Sequence, residues 1–241
     1  MKFIGYIPFG YPSIEQSIIS IENYVSAGCE AVEISFPLYD PIGESDLIVD
    51  FMRKALKNCS DYAVYMKAVQ QVRKNHPSLE INLLLFTQVM QEIGFDCLIS
   101  FYDKCKINSV ICPDVNDHLD VRDILTSRGM KFVAPFHYDV NESELKNCLD
   151  SKGFVYMQAF PPSWQKVKKG YETPDKIVDY LRKNGVKQEI YAGVGIKTLE
   201  DVETIKKAGV DGFFVGSSLM KLLDDPIQLH RKITEFINAG K

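Results

Sequence analysis

Two short apolar runs late in the chain, Tyr191-Ala192-Gly193-Val194-Gly195-Ile196 and Gly212-Phe213-Phe214-Val215-Gly216-Ser217-Ser218, each stop in glycine and pass at once into a helical pattern. Glycine at such a strand end lets backbone N–H groups approach a ligand that a Cβ would hold off. The start of the following helix adds unpaired donors and positive partial charge, both suited to a phosphate. Either run alone is equally an ordinary strand-to-helix turn. As a spaced pair they point to phosphate binding.

Carboxylates supply the other chemistry. Glu33 lies inside the strand-like run Ala31-Val32-Glu33-Ile34-Ser35-Phe36, and alternation places it on the face shared by Ala31 and Ser35. A carboxyl on the inner face of a sheet is partly desolvated, which raises its pKa and suits it to general acid/base work. A buried hydrogen bond or ion pair is the alternative role. The next segment, Pro37-Leu38-Tyr39-Asp40-Pro41-Ile42-Gly43-Glu44-Ser45-Asp46, is a proline-braced loop with three further acids, of which Asp46 reads as a helix cap. Asp114, after Ile111-Cys112-Pro113, is another carboxylate at a strand end, either functional or structural.

The elements that must position these groups alternate along the whole chain. Strand-like runs cover residues 3–8, 31–36, 81–86, 109–113, 132–136, 154–159, 189–193 and 212–215. Most are continuously apolar, as expected of parallel strands buried on both faces. Helical patterns lie between them at 14–27, 61–74, 95–105, 142–149, 175–183, 199–208 and 226–237. Ser13 and Gln16 form a capping-box pattern at the first helix, and Gly28, Gly129, Gly185 and Gly209 sit just past helix ends. Eight strands, each followed by helix and with no linker, predict one domain over 1–241: a single (β/α)8 TIM barrel. An open doubly wound sheet is the competing topology, but no G-x-G-x-x-G follows the first strand. In a barrel the functional groups sit at the C-terminal strand ends, where Glu33, the acidic loop and the glycine pair all fall.

Composition excludes several classes. The 241 residues are 46% hydrophobic and 25% charged, ordinary for a globular protein with a sizeable core. A net charge of −4 without any basic block argues against nucleic acid or an anionic membrane as partner. The apolar runs are too short to span a bilayer, and Met1-Lys2 leads straight into a strand rather than a signal peptide, so a cytoplasmic location is expected. Six cysteines without a C-x-x-C pair and four scattered histidines predict neither a disulfide framework nor a metal site.

With these residues in place the chain resembles the tryptophan synthase alpha subunit family. The resemblance lies in Val32-Glu33-Ile34-Ser35-Phe36-Pro37 running without gaps to Asp46, and in the opening Tyr6-Ile7-Pro8-Phe9-Gly10-Tyr11-Pro12. It extends through the segment from Asn108 to Val115, Gly153-Phe154-Val155-Tyr156, and the glycine ends at 193–196 and 215–217. That family cleaves indole-3-glycerol phosphate to indole and glyceraldehyde 3-phosphate by a retro-aldol reaction, and partners a pyridoxal-phosphate beta subunit. The resemblance implies Glu33 as acid/base residue, Tyr156 as active-site tyrosine, and Gly195, Gly216 and Ser217 as phosphate ligands. It implies no cofactor in this chain, pyridoxal phosphate belonging to the beta partner.

The sequence also departs from the family. Glu44 stands where the second catalytic carboxylate is an aspartate, with Ser45 for glycine and Asp46 for proline, and Ser35 replaces the glycine after the strand glutamate. One methylene moves a carboxylate by more than about an ångström, a shift that can cost on the order of 10²-fold in rate unless the backbone compensates. The loop after the sixth strand reads Gln158-Ala159-Phe160-Pro161-Pro162-Ser163-Trp164-Gln165, without the family's glycines and stiffened by two prolines. The chain also begins at its first strand, without the helix that usually precedes it. Three functions follow: a divergent alpha subunit with Glu33 and Glu44 as catalytic pair, a phosphosugar lyase or isomerase with another substrate, or a catalytically weak partner of a beta subunit.

Overall fold

Each strand of the chain is bonded to the next in a parallel sheet, and the order of pairing carries the fold. The computed structural model describes residues 1–241, with strands β1 (Lys2–Pro8), β2 (Ala31–Ser35), β3 (Glu80–Leu84), β4 (Ser109–Ile111), β5 (Ala134–Phe136), β6 (Val155–Gln158), β7 (Ile190–Gly193) and β8 (Gly212–Val215). The sheet order is β4-β3-β2-β1-β8-β7-β6-β5, and a parallel bridge between Val110 and Phe132 joins its two ends. Two backbone bonds hold that seam, Val110 N–H to the Lys131 carbonyl at 2.8 Å and Val133 N–H to the Val110 carbonyl at 2.9 Å. The result is a (β/α)8 barrel, not the open sheet.

The helices are α1 (Ile14–Ser26), α2 (Asp46–Asn58), α3 (Tyr62–Asn75), α4 (Thr87–Ile93), α5 (Phe95–Cys105), α6 (Leu119–Ser127), α7 (Glu142–Asp150), α8 (Pro174–Lys183), α9 (Leu199–Ala208), α10 (Ser217–Met220) and α11 (Pro226–Gly240). No helix is long and apolar enough to cross a membrane. Helix α2 begins where an acid was expected to cap. Its N-cap is Ser45, which makes no side-chain cap bond, and Asp46 is the first helical residue, placed to meet the positive end of the helix dipole. At α1 only half of the capping box forms: the Ser13 hydroxyl accepts the Gln16 N–H at 3.2 Å and turns its own proton to Glu15. Gly28, Gly129, Gly185 and Gly209 all take the positive φ that ends a helix.

Alternation along the strands divides the core. Outward side chains meet the helices in a continuous cluster of 67 buried residues that also takes in the mouth residues Tyr6 and Leu84. Inward ones stack inside the barrel, where Ile4, Ala31, Val133, Phe154, Tyr191 and Phe214 form a separate plug. Each fully buried side chain of this size contributes roughly 1.5–3 kcal/mol. Below the plug, at the N-terminal end, the Lys2 ammonium donates to Glu80 at 2.7 Å and to the Tyr191 hydroxyl at 2.8 Å. Above it, register sets Tyr6 of β1 beside Glu33 of β2 and Glu33 beside Asn82 of β3. The plug is thus the floor on which the mouth residues stand.

Candidate active site

A cavity of about 280 Å³ opens at the C-terminal mouth. Glu33, Glu44, Tyr156, Gly195, Gly216 and Ser217 all line it, so the six residues singled out in the sequence come together in one place. Tyr6, Leu84, Phe214, Ile48 and Ile196 complete its walls.

Glu33 is 3% exposed and has no cation to pair with. Burial pushes its carboxyl up to about 8, and the nearby Glu44 carboxylate pushes in the same direction. Glu44 is itself raised, to about 7, by loss of solvent where its carboxyl faces the cavity. Both carboxyls therefore hold their protons well above the ordinary carboxylate range, and a pair raised in this way can divide into one acid and one base within a single pocket. Glu44 rides on the loop 37–45, whose backbone is held from two sides. The buried Tyr62 hydroxyl donates to the Pro37 carbonyl at 2.8 Å, and Arg53 donates to the Tyr39 carbonyl at 3.0 Å while pairing with Asp40.

Tyr156 reaches the cavity across a space that only glycine leaves open. A Cβ at Gly193, on the neighbouring strand, would lie 2.0 Å from the Tyr156 hydroxyl oxygen. The Tyr156 ring packs on Phe214 at 4.7 Å between centroids, and burial together with both carboxylates raises its phenol well above the ordinary tyrosine range. The glycine that read as a phosphate feature therefore also makes room for an aromatic side chain. Nothing in the linear sequence pairs these two positions except strand alternation.

Backbone shapes the opposite wall. After β7 the chain passes through Val194 at φ 63 and Gly195 at φ 94. A β-branched residue at positive φ is strained by about 1–3 kcal/mol, a cost that concentrates at functional sites. After β8, Gly216 caps the short helix α10, its carbonyl accepting from Leu219 and Met220 at 2.9 and 3.0 Å. The amides of Ser217 and Ser218 open that turn without intrahelical partners. The buried Ser218 hydroxyl has no hydrogen-bond partner either.

One other sequence candidate lies elsewhere. Asp114 is tied down as a strut between strand ends: it accepts the Thr87 N–H at 3.1 Å, the Thr87 hydroxyl at 2.5 Å and the Cys112 thiol at 3.2 Å. It does not line the cavity. In the loop after β6, Phe160 packs against Gly195, whose Cβ would stand 3.3 Å from that of Phe160, while Trp164 projects with 84% exposure. Ser163 beside it is exposed. The residue that sequence reasoning missed is Tyr6; its signal was the alternation of the first strand, which points residues 4 and 6 the same way.

A (β/α)8 barrel with two carboxyls raised by burial and glycine-ended last strands in its mouth defines a class that several enzyme families share. The comparisons narrow it to one. The family model for the tryptophan synthase alpha chain matches residues 1–239, and this chain belongs to that family. It is 26% identical over 229 residues to the tryptophan synthase alpha chain of Caldicellulosiruptor bescii, covering 92% of this chain and 86% of the relative. It is also 26% identical over 241 residues to that of Buchnera aphidicola subsp. Schlechtendalia chinensis, covering 98% and 88%. Among solved structures, one from Aquifex aeolicus VF5 superposes with a TM-score of 0.86 at 22% identity, covering 99% of this chain and 92% of that one. The tryptophan synthase complex from Pyrococcus furiosus gives 0.81 at 22% identity, covering 98% of each. Retro-aldol cleavage of indole-3-glycerol phosphate is the reaction of this family.

Proposed function

We propose that this chain is a working lyase of its family, cleaving indole-3-glycerol phosphate to indole and glyceraldehyde 3-phosphate. The observation that carries the reading is that Glu33 and Glu44, two carboxyls raised by burial, line one cavity with the glycine ends Gly195 and Gly216. The cleavage needs a proton delivered to ring C3 and the N–H proton withdrawn. The carbinol hydroxyl then loses its proton, the carbon–carbon bond breaks with its electron pair passing into the ring, and the ring nitrogen regains a proton as the aldehyde forms. Protons balance overall, so two carboxyls that exchange roles suffice. Glu33, protonated, serves the C3 and carbinol side. Glu44 serves the ring nitrogen.

Backbone amides at Gly195, Gly216 and Ser217 hold the phosphate, and Tyr156, Leu84 and Phe214 wall the ring. No cofactor takes part in this chain's own half-reaction. A tryptophan synthase beta subunit, the pyridoxal-phosphate partner, docks at the mouth, where Tyr39, Ile42 and Trp164 expose large apolar side chains. A cytoplasmic location is the one expected of a biosynthetic enzyme of this family. The test is indole release from indole-3-glycerol phosphate by the purified chain, with and without a beta subunit. Release in either arm supports the reading; none in both, with phosphoester binding intact, would point to another phosphorylated substrate.

A further inference from the structure

The cavity holds a hydroxyl to which nothing above gives a task. Tyr6 is 4% exposed, lines the cavity, and its phenol oxygen has no hydrogen-bond partner in the protein. The Ser35 hydroxyl is close enough to favour the ionised phenol weakly, yet neither hydroxyl has a partner within hydrogen-bond geometry. A buried phenol without a partner costs about 1–3 kcal/mol, so its persistence calls for a partner that is absent from the empty protein. An apolar ring of the same shape would fill the wall without that cost.

Position identifies the partner. Tyr6 sits beside Glu33 in the β1–β2 register. On its other side its Cβ lies 3.5 Å from where a Cβ on Gly216 would be. The two carboxylates are the main charges acting on the phenol, Glu44 ahead of Glu33. Tyr6 therefore stands between the end of the cavity assigned to phosphate and the carboxyl pair. In a substrate that spans those two ends, the atoms at that place belong to the three-carbon chain, whose hydroxyls both donate and accept.

We propose that the Tyr6 hydroxyl hydrogen-bonds the glycerol chain of the substrate, at the hydroxyl between the phosphate ester and the reacting carbinol, and so selects hydroxylated over deoxy chains. The proposal rests on the lyase reading of the cavity. Its test crosses two proteins with two ligands: the parent and Tyr6→Phe, each titrated with indole-3-glycerol phosphate and with indole-3-propanol phosphate, which lacks both chain hydroxyls. The glycerol phosphate is measured by binding at low temperature and by steady-state cleavage. Tyr6→Phe should weaken the glycerol phosphate about tenfold, the scale of one buried hydrogen bond. It should leave the propanol phosphate within twofold, and raise the Tm of the free protein by removing the unpaired hydroxyl.

A merely structural tyrosine would instead lose Tm and weaken both ligands alike. Equal effects on the two ligands, or no effect on either, would overturn the assignment. A parent that binds both ligands but releases no indole overturns the lyase reading alone, because the binding cross still reads Tyr6. A parent that binds neither overturns both.

Discussion

The two walls of the cavity are built from different material. The wall at the ends of β7 and β8 is backbone: Val194 and Gly195 at positive φ, and Gly216 opening the short turn of α10. The facing wall, at β1, β2 and the loop 37–45, is ionisable side chains held out of water. A backbone wall binds through amides that every residue carries, so it demands little beyond glycine where the chain must come close. A side-chain wall fixes the chemistry, and each atom in it depends on loops and neighbours. Departures from the family pattern fall there at Ser35, Glu44, Ser45 and Asp46, and beside the backbone wall in the loop 158–165, whose Phe160 packs on Gly195, while the glycine ends themselves are kept. Binding is the half of the design that is retained by this reading, and proton transfer is the half that has been rebuilt.

The sharpest break of this comparison is Glu33→Gln, which keeps shape and removes the titrating proton. Turnover should fall at least ~10²-fold, the usual scale of acid/base catalysis, while the phosphoester still binds. The same variant reads the pH dependence. With one carboxyl active when ionised and the other when protonated, kcat/KM of the parent should rise through pH about 7 and fall through pH about 8. These two limits belong to the coupled pair.

Linkage gives the sign for stability. Both folded-state pKa values lie above the ordinary 4.5, so the native state holds more protons and the parent loses stability as pH rises from about 4.5 to about 8. Glu33→Gln should flatten that decline, with its Tm advantage growing toward alkaline pH. Full activity in Glu33→Gln would remove Glu33 from the mechanism.

A smaller effect is expected from Gly216→Val, which tests the backbone wall. A Cβ at 216 would meet Tyr6 at 3.5 Å, an ordinary contact, so the barrel should fold. The branched side chain would nonetheless occupy the approach to the amides at the start of α10. Binding of inorganic phosphate and of the phosphoester should weaken by at least about tenfold with the Tm little changed. Unchanged affinity would place the phosphate elsewhere and leave the two walls without their division of labour.

How much of this was legible in the sequence follows the same division. The barrel could be read because its strands are buried on both faces and most therefore run nearly continuously apolar, and because glycines mark the ends of four helices. Helices α4 and α10 escape such a reading, and of α2 and α6 only one end is marked, by Asp46 and by Gly129; α10 is four residues long, and the rest of α2 and α6 lies among charged residues that look like loop. Within the mouth, the glycine pair and Glu33 announce themselves by type and phase. Tyr6 does not, since an aromatic in a first strand is ordinary core until its register with Glu33 and its unpaired hydroxyl are seen. Asp114, which its place at a strand end left open between a functional and a structural role, falls on the structural side: Thr87 and Cys112 engage its carboxylate.

Glu44→Asp probes the smallest difference, one methylene in the rebuilt wall. The substitution restores the residue type that the family carries, so resemblance alone predicts a gain. The structure predicts a loss. The backbone around residue 44 is anchored by the buried Tyr62 hydroxyl on Pro37, by Arg53 on Tyr39, and by the start of α2 at Ser45. The Arg53–Asp40 pair is too exposed to hold much by itself, but the Tyr62 bond is buried and sits where the loop leaves β2. A shortened carboxylate would stop about one bond short of the ring nitrogen unless residues 40–44, between these anchors, moved forward. Turnover should drop about tenfold, less than for Glu33→Gln because a longer contact still transfers protons through water. The measurement is kcat for indole release with the beta subunit present, set beside phosphoester affinity, which should not move. A Glu44→Asp variant clearly faster than its parent would mean that the loop closes farther on substrate than it stands here. The side-chain wall would then be the family's own, impaired at Glu44 and otherwise intact.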